Sequence, residues 1–381
     1  MSVSYPTLKA MDITDRPTKT ISGKLIASID QGTTSTRVII FDANAKAVAS
    51  HQMEHAQIYP KDGWCEHDPM EIVANTKTCL DSAVTKLEAA GGKASDVAAI
   101  GITNQRETTV VWDKETGKPL HNAVVWLDLR TSELCESLTK GPGGQDKFRS
   151  VCGLPISTYF SAMKLDWLIL NVPSVAKAVA SGKALFGTID TWLIWNLSGG
   201  VNGGVHVTDV TNASRTMLMD LATCQWSPAT CKALNIPMAV LPTIKSCSEI
   251  YCKVAGTKLA GVPIAGCAGD QHAAMLGQAC FSPGQAKSTY GTGCFMLMNV
   301  GEGKPVPSTH GLLSTVCFQL GPNAPVTYAL EGSVAIAGRA VQVSGTTTIH
   351  SLTASLLPLR LSLALITHPL LVLSSSATTW R

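Results

Sequence analysis

Three short polar stretches carry side chains suited to charged or hydroxyl-rich ligands. The first is Asp30-Gln31-Gly32-Thr33-Thr34-Ser35, which closes the apolar run LIASID at 25–30. A glycine at a strand end permits a tight turn, and the amides and hydroxyls after it can face phosphate oxygens. Asp30 can reach Mg²⁺ through water, because Mg²⁺ takes few protein ligands beside phosphates. Arg37 adds a fixed positive charge nearby, although an ordinary hairpin turn would contain the same residues. The second stretch is Asn104-Gln105-Arg106-Glu107-Thr108, again directly after an apolar strand. A neighbouring Arg and Glu offer a donor fork and an acceptor, which suits a small polyol whose hydroxyls need both. A solvated hairpin tip is the alternative. Trp126 could wall the carbon side of such a ligand or simply fill a core. The third stretch, Gly269-Asp270-Gln271, places a carboxylate at a strand's carboxyl end, where α/β folds put their chemistry. Asp270 there is either a general base toward a substrate hydroxyl or a helix cap. Gly291-Thr292-Gly293 supplies a second loop able to approach phosphate.

The elements that must present these residues follow from apolar periodicity. LIASID and RVIIF (37–41) read as strands joined by the Gly/Thr turn, DANAK is a second turn, and AVASHQMEH completes a meander. Ile72, Val73, Thr76, Leu80, Val84 and Leu87 recur at helical spacing after the capping pair Asp68-Pro69. VAAIGITNQ (97–105) is a buried strand, and TTVVWD (108–113) is expected to pair with it. SAMKLDWLILNV (161–172) predicts an amphipathic helix, and ALFGTIDTWLIWNL (184–197) a strand running into a helix. GVPIAGCAGDQHAAMLGQ (261–278) predicts strand, turn and helix. From about 285 to 335 the pattern is β. DQGTTSTRVIIFD (30–42) and STYGTGCFMLMNV (288–300) form a weak near-repeat. The alternation of strands and helices predicts an α/β fold with a mixed sheet.

Composition narrows the function classes. The 381 residues carry a formal charge of +3 with no Lys/Arg run, which argues against a nucleic-acid surface. Twelve scattered Cys without a C-x-x-C read as reduced thiols, and the polar start lacks a targeting pattern, so a cytoplasmic location is expected. Charged residues make up only 15%, and residues 343–381 contain no Asp, Glu or Lys. The apolar stretch 352–373 is interrupted by Pro358, Arg360, His368 and Pro369, so no membrane span is expected.

The segments ASIDQGTTSTRVIIFD, GWCEHDP, GITNQRETTVVWD, VVWLDLRT, GTIDTWLIWNL, TDVTNASRT, AGDQHAAMLGQ, YGTGCFMLMNVG and YALEGSVAIAG run almost continuously over 24–342. In this order the sequence resembles the FGGY carbohydrate kinases, and NQRET with AGDQ and YGTGCF resembles the branch that phosphorylates glycerol. The resemblance implies the actin-like, ribonuclease-H-like α/β fold of two domains with ATP in the cleft between them. It places a glycerol-binding domain at 24–278, part of a second domain at 279–342, a leader at 1–23 and a divergent, non-family tail at 343–381. It further implies that Thr33, Thr34, Ser35 and Arg37 face the nucleotide phosphates, with Asp30 supporting Mg²⁺. Arg106, Glu107, Tyr159, Asp270 and Gln271 would hold glycerol, with Trp126 against its carbons and Asp270 as base. Thr292, Gly338 and Gln342 match nucleotide contacts of the second domain. The expected reaction is ATP-dependent formation of sn-glycerol 3-phosphate. A kinase of a pentulose or gluconate, and an inactive fragment that binds glycerol or an intact subunit, are the alternatives. Self-association is left open.

Overall fold

The computed structural model describes residues 23–291, 293–334 and 337. Among them, residues 23–270 with 318–325 form one compact unit, and residues 271–317 with 326–334 form another.

The first unit begins with β1 (Leu25–Gln31), β2 (Ser35–Phe41) and β3 (Ala47–Glu54), an antiparallel meander. Strict alternation buries Leu25, Ala27 and Ile29 on one face of β1 and Val38 and Ile40 on β2. Helix α1 (Pro69–Ala89) lies against that face through Ile72, Leu80, Val84 and Leu87, all fully buried. Its start is fixed as the sequence predicts: the Asp68 carboxylate accepts from the Met70 amide at 2.8 Å, and Pro69 occupies the first turn. Next come β4 (Val97–Asn104), β5 (Val110–Asp113), α2 (Ser161–Asn171), β6 (Ala184–Gly187) and α3 (Ile189–Leu197). Two further strands, β7 (Cys252–Lys253) and β8 (Pro263–Gly269), complete the main sheet. The six-stranded sheet has the order β7-β8-β4-β1-β2-β3, with β8, β4 and β1 parallel and the outer strands antiparallel. It is the mixed sheet expected from the sequence. Trp112 anchors the second part of the core, with Trp192 and Trp195 of α3 at 5.1 and 5.6 Å between ring centroids.

One local expectation fails here. The TTVVWD strand does not pair with β4; β5 pairs antiparallel with β6, in the register Val110↔Gly187 to Asp113↔Ala184. The chain leaves the main sheet after Asn104 because Glu107 adopts φ 59° and the Thr108 amide donates back to the Arg106 carbonyl at 2.7 Å. Gly32 has no left-handed backbone, and a methyl there would meet only the Ser35 carbonyl, at 3.5 Å.

Helix α4 (Asp270–Gly277) starts directly after β8, with no intervening turn, at the boundary of the two units. The second unit is a four-stranded sheet of β9 (Ala286–Tyr290), β10 (Cys294–Glu302), β11 (Leu313–Phe318) and β12 (Thr327–Val334), in the order β9-β10-β12-β11. β9 and β10 form a hairpin like β1 and β2, so the near-repeat corresponds to two similarly built hairpins. Here the glycine is sterically required: a Cβ on Gly293 would lie 2.9 Å from the Phe295 ring and from the Val334 carbonyl. All twelve cysteines are free thiols. Among the described residues, no helix is long and apolar enough to cross a membrane. The segments 1–22 and 343–381 lie outside the described residues.

Urea unfolding followed by tryptophan fluorescence checks this account. Leu80→Ala should lose about 2–5 kcal/mol by leaving a cavity under the meander, and Asp68→Ala about 1 kcal/mol through the lost cap. Gly32→Ala should stay within about 1 kcal/mol of wild type, since its native backbone suits alanine; a larger loss would show that the turn requires glycine.

Candidate active site

Three parallel strands of the first unit end at one level. Gln31 pairs with Asn104, and Asn104 with Gly269, so Thr33, Arg106 and Asp270 all follow carboxyl ends in one row. Open α/β sheets place ligands at such a row.

The Asn104–Thr108 stretch is no solvated tip, for all five of its residues are buried. Arg106 directs Nε at the Asp270 carboxylate, 3.5 Å away, and donates from Nη2 to the Tyr159 hydroxyl at 3.2 Å. Asp270 stays open, with 36% of its side chain exposed. Trp126 lies edge-on to Tyr159, 5.7 Å between centroids. Tyr159 is held in turn by Lys164, whose ammonium donates to the Thr158 and Tyr159 carbonyls at 2.7 Å. Burial lowers the Lys164 pKa to about 8, against the raising effect of Glu107 and Asp128. Arg106, Trp126 and Tyr159 therefore form a polar and aromatic wall beside one accessible carboxylate.

Glu107 sits in left-handed backbone, which costs a non-glycine residue about 1 kcal/mol. Several bonds hold it there. Its carbonyl accepts from Thr109 Oγ1 at 3.2 Å and Ser161 Oγ at 3.1 Å, and its carboxylate accepts from Arg215 Nε at 2.7 Å. Both members of the Glu107–Arg215 pair are buried. Behind the strand ends, Asn104 and Asn212 exchange amide hydrogen bonds at 2.9 and 3.0 Å, and Asp209 accepts from Asn212 Nδ2 at 2.8 Å. The Thr211 hydroxyl donates to Asp209 and accepts from the Gly269 amide at 2.9 Å, which fixes the residue before Asp270.

The phosphate-type turn is also organised. Gly32 N donates to the Ser35 carbonyl at 2.9 Å, while the Thr33 and Thr34 amides donate to no described residue. Thr33 Oγ1 accepts from Trp126 Nε1 at 2.9 Å, which ties this turn to the polyol-type wall. Ser35 Oγ accepts from Gln52, and Arg37 Nε donates to the same side chain. Arg37 faces Asp30 across the hairpin. Burial raises the Asp30 carboxyl above its ordinary range, Arg37 opposes that shift, and the Asp270 carboxylate adds to it. Two acids that repel each other beside free amides fit the chemistry of a divalent cation with phosphate.

The structure thus brings Asp30, Thr33, Arg106, Glu107, Trp126, Tyr159 and Asp270 around one row of strand ends, with Thr34, Ser35 and Arg37 on the adjoining hairpin. Gln271 belongs to the second unit, where its side-chain oxygen accepts from the buried Lys287 ammonium. Thr292, Gly338 and Gln342 lie outside the described residues. Sequence reasoning missed Arg215 and Asn212 in VTNASRT. The partner of Arg215, Glu107, lies 108 residues away, so no local spacing signals the pair. Asp190, Asp209 and Cys267 also cluster in the interior. Both acids there are already hydrogen-bonded, Asp190 to Thr188 and Thr208 and Asp209 as described, so this cluster is core structure.

A family model for the N-terminal domain of the FGGY family of carbohydrate kinases matches residues 25–277. The chain is 60% identical over 320 residues to a glycerol kinase of Arabidopsis thaliana, covering 83% of this chain and 61% of that protein. It is 58% identical over 319 residues to a glycerol kinase of Brucella anthropi, covering 84% and 63%. Among solved structures, Plasmodium falciparum glycerol kinase with ADP superposes with a TM-score of 0.79 at 44% identity, over 84% of this chain and 63% of that one. Gluconate kinase from Lactobacillus acidophilus, at 24% identity and a TM-score of 0.73 over 86% of this chain and 63% of its own, shares the fold. The chain therefore spans about 61–63% of the length of these relatives.

Removing Arg215 would leave the Glu107 carboxylate buried without its closest cation. Arg215→Ala should lose about 3–5 kcal/mol in urea unfolding, with Arg215→Lys intermediate because it keeps the charge but not the planar donor fork. A loss below about 1 kcal/mol for the alanine variant would show that the pair does not hold the turn.

Proposed function

The chain belongs to the FGGY family of carbohydrate kinases, with the actin-like, ribonuclease-H-like fold of that family, and from that membership we propose that it carries the glycerol-binding part of an ATP-dependent glycerol kinase. The observation that carries this reading is the open Asp270 carboxylate beside Arg106, Tyr159 and Trp126. A small polyol presents hydroxyls that both donate and accept, and carbons that pack on an aromatic face. Arg106, Glu107, Tyr159, Asp270 and Gln271 would hold the hydroxyls, with Trp126 against the carbons.

In this reaction a terminal hydroxyl oxygen of glycerol bonds to the γ-phosphorus of ATP, and the β–γ bridging P–O bond breaks. Asp270 takes the hydroxyl proton, and the products are sn-glycerol 3-phosphate and ADP. Positioning and charge neutralisation do most of such work. Thr33, Thr34, Ser35 and Arg37 would receive the phosphates. Asp30 would support Mg²⁺, which supplies charge neutralisation on the phosphate oxygens. In this reading the glycerol-binding domain covers 24–278 and part of the second domain covers 279–342, where Thr292, Gly338 and Gln342 would meet the nucleotide. A cytoplasmic location and assembly with further copies complete the proposal.

A second reading is that this chain captures glycerol without transferring phosphate. Calorimetry with glycerol, together with ADP-coupled assays on glycerol, a pentulose and gluconate, separates the readings. Micromolar-to-millimolar glycerol binding with turnover supports the kinase, and binding without turnover supports capture. Preference for another sugar, or no glycerol binding, overturns both. Arg106→Ala should weaken glycerol about tenfold to a hundredfold, the worth of a hydrogen bond to a charged group. Asp270→Asn should lower any turnover about 10²–10⁴-fold while retaining measurable glycerol binding.

A further inference from the structure

The GWCEHDP segment places a fully buried histidine, His67, between the two loops of the candidate site, where the proposed reaction gives it no role. Its surroundings assign each of its ring nitrogens. Gln57 Nε2 donates to the Thr33 carbonyl at 2.9 Å, so Gln57 Oε1 is left to accept from His67 Nε2, also at 2.9 Å. On the other side, Gln105 Oε1 accepts from the Thr108 hydroxyl at 2.8 Å, and Gln105 Nε2, which donates to Gln31 Oε1 and the Gly32 carbonyl at 3.1 Å, also lies 3.4 Å from His67 Nδ1. The circuit then closes. Thr108 Oγ1 accepts from the Trp126 amide at 3.1 Å, and Trp126 Nε1 donates to Thr33 Oγ1 at 2.9 Å. Thr33 is thereby gripped at its carbonyl and at its hydroxyl, while its amide remains available.

We propose that this closed ring of hydrogen bonds couples the polyol wall to the phosphate turn, and that His67 and Gln57 are its positioning residues. The inference rests on the glycerol and phosphate reading of the site given above. Its members come from separate parts of the chain, but two of them share a rigid seat. Glu66 and His67 pair with Val124 and Ala123 in a short antiparallel ribbon, and Arg130 bridges Glu66 and Asp128 at 2.7 and 2.9 Å. The segment bearing His67 and the segment bearing Trp126 are therefore one body. A ligand that orders Trp126 from the polyol side acts on Thr33 through the indole N–H, and one that orders Thr33 acts back by the same bonds. Reciprocity of this kind is required of any coupling between two binding sites. Buried bonds arranged in series also polarise one another.

The ring needs His67 neutral, because a proton on Nδ1 would face the Gln105 amide hydrogens. Burial, with a smaller contribution from His55 4.6 Å away, lowers its pKa to about 3, so the acceptor persists at ordinary pH. His55 Nε2 makes a second contact to the Thr33 carbonyl, at 2.9 Å, outside the ring.

The test measures glycerol affinity of the full chain by calorimetry, with and without saturating magnesium tripolyphosphate, a probe of the phosphate turn that requires no adenine contacts. Wild type should bind glycerol at least about fivefold more tightly when the polyphosphate is present. His67→Phe, which keeps the ring volume and removes both hydrogen bonds, should reduce that factor below about twofold. His67→Gln, able to donate to Gln57 and accept from Gln105, should restore at least half of the coupling free energy. Gln57→Met breaks the ring at a half-buried position and should behave like His67→Phe, which covers the case in which the phenylalanine variant fails to fold. His206→Phe removes a different buried histidine, hydrogen-bonded to the Phe186 carbonyl, and should leave the coupling intact. Coupling that survives both His67→Phe and Gln57→Met, or wild type that binds glycerol with no coupling, overturns the ring alone. Wild type that binds no glycerol overturns the glycerol reading and the ring with it.

Discussion

The site depends on one constraint of register: β1, β4 and β8 must end together. Each strand contributes a different group just past its last paired residue, a phosphate-type turn, an arginine and a carboxylate. Because side chains alternate along a strand, a slip of one residue in β4 would move Asn104 off Gln31 and Gly269 and turn its neighbours to the opposite face. The apolar alternation of Leu25, Ala27 and Ile29 beneath α1 protects that register from below. The Asn104–Asn212 amide pair protects it from above, at the site itself. Core packing and site geometry are thus enforced from opposite ends of the same strands.

Past the row, the backbone must turn sharply enough to present Arg106 without continuing the sheet. Glu107 makes that turn in a conformation disfavoured for any side chain, and the surrounding bonds over-determine it. The same turn explains why β5 joins β6 in a separate ribbon. A strained residue, a redirected strand and a buried ion pair are consequences of one local need, to aim a guanidinium at the end of a neighbouring strand.

What the sequence discloses and what it hides divide along physical lines. The meander, α1 and the strand-to-helix segments are legible because burial on one side imposes a period of 2 or 3.6 on the residues themselves. The pairing of β5 is not legible, since partner choice was decided by the backbone of Glu107, which no side-chain pattern records. Arg106, Glu107, Trp126, Tyr159 and Asp270 stand out as polar or aromatic residues at strand ends, and the structure gathers them. Arg215, His67 and Gln57 do not stand out, because their importance lies in partners distant in sequence.

Charge arrangement gives the last step. Three carboxylates, Asp30, Glu107 and Asp270, crowd the strand ends, and Arg106 lies within 3.9 Å of Glu107 and 3.5 Å of Asp270. If Glu107 lacked another cation, the low dielectric of its buried setting would draw Arg106 toward it and away from the open carboxylate. Arg215 prevents this by pairing with Glu107 at 2.7 Å, from a position where it is itself fully buried. Arg106 is then left to face Asp270 and Tyr159, the two groups with access to solvent. Asp270 also begins α4, and the dipole at a helix N-terminus favours negative charge. Asp270 in turn raises the Asp30 pKa, and a cation placed between the two acids would remove that repulsion. The buried pair that looks purely structural is what assigns the remaining arginine to the exposed carboxylate.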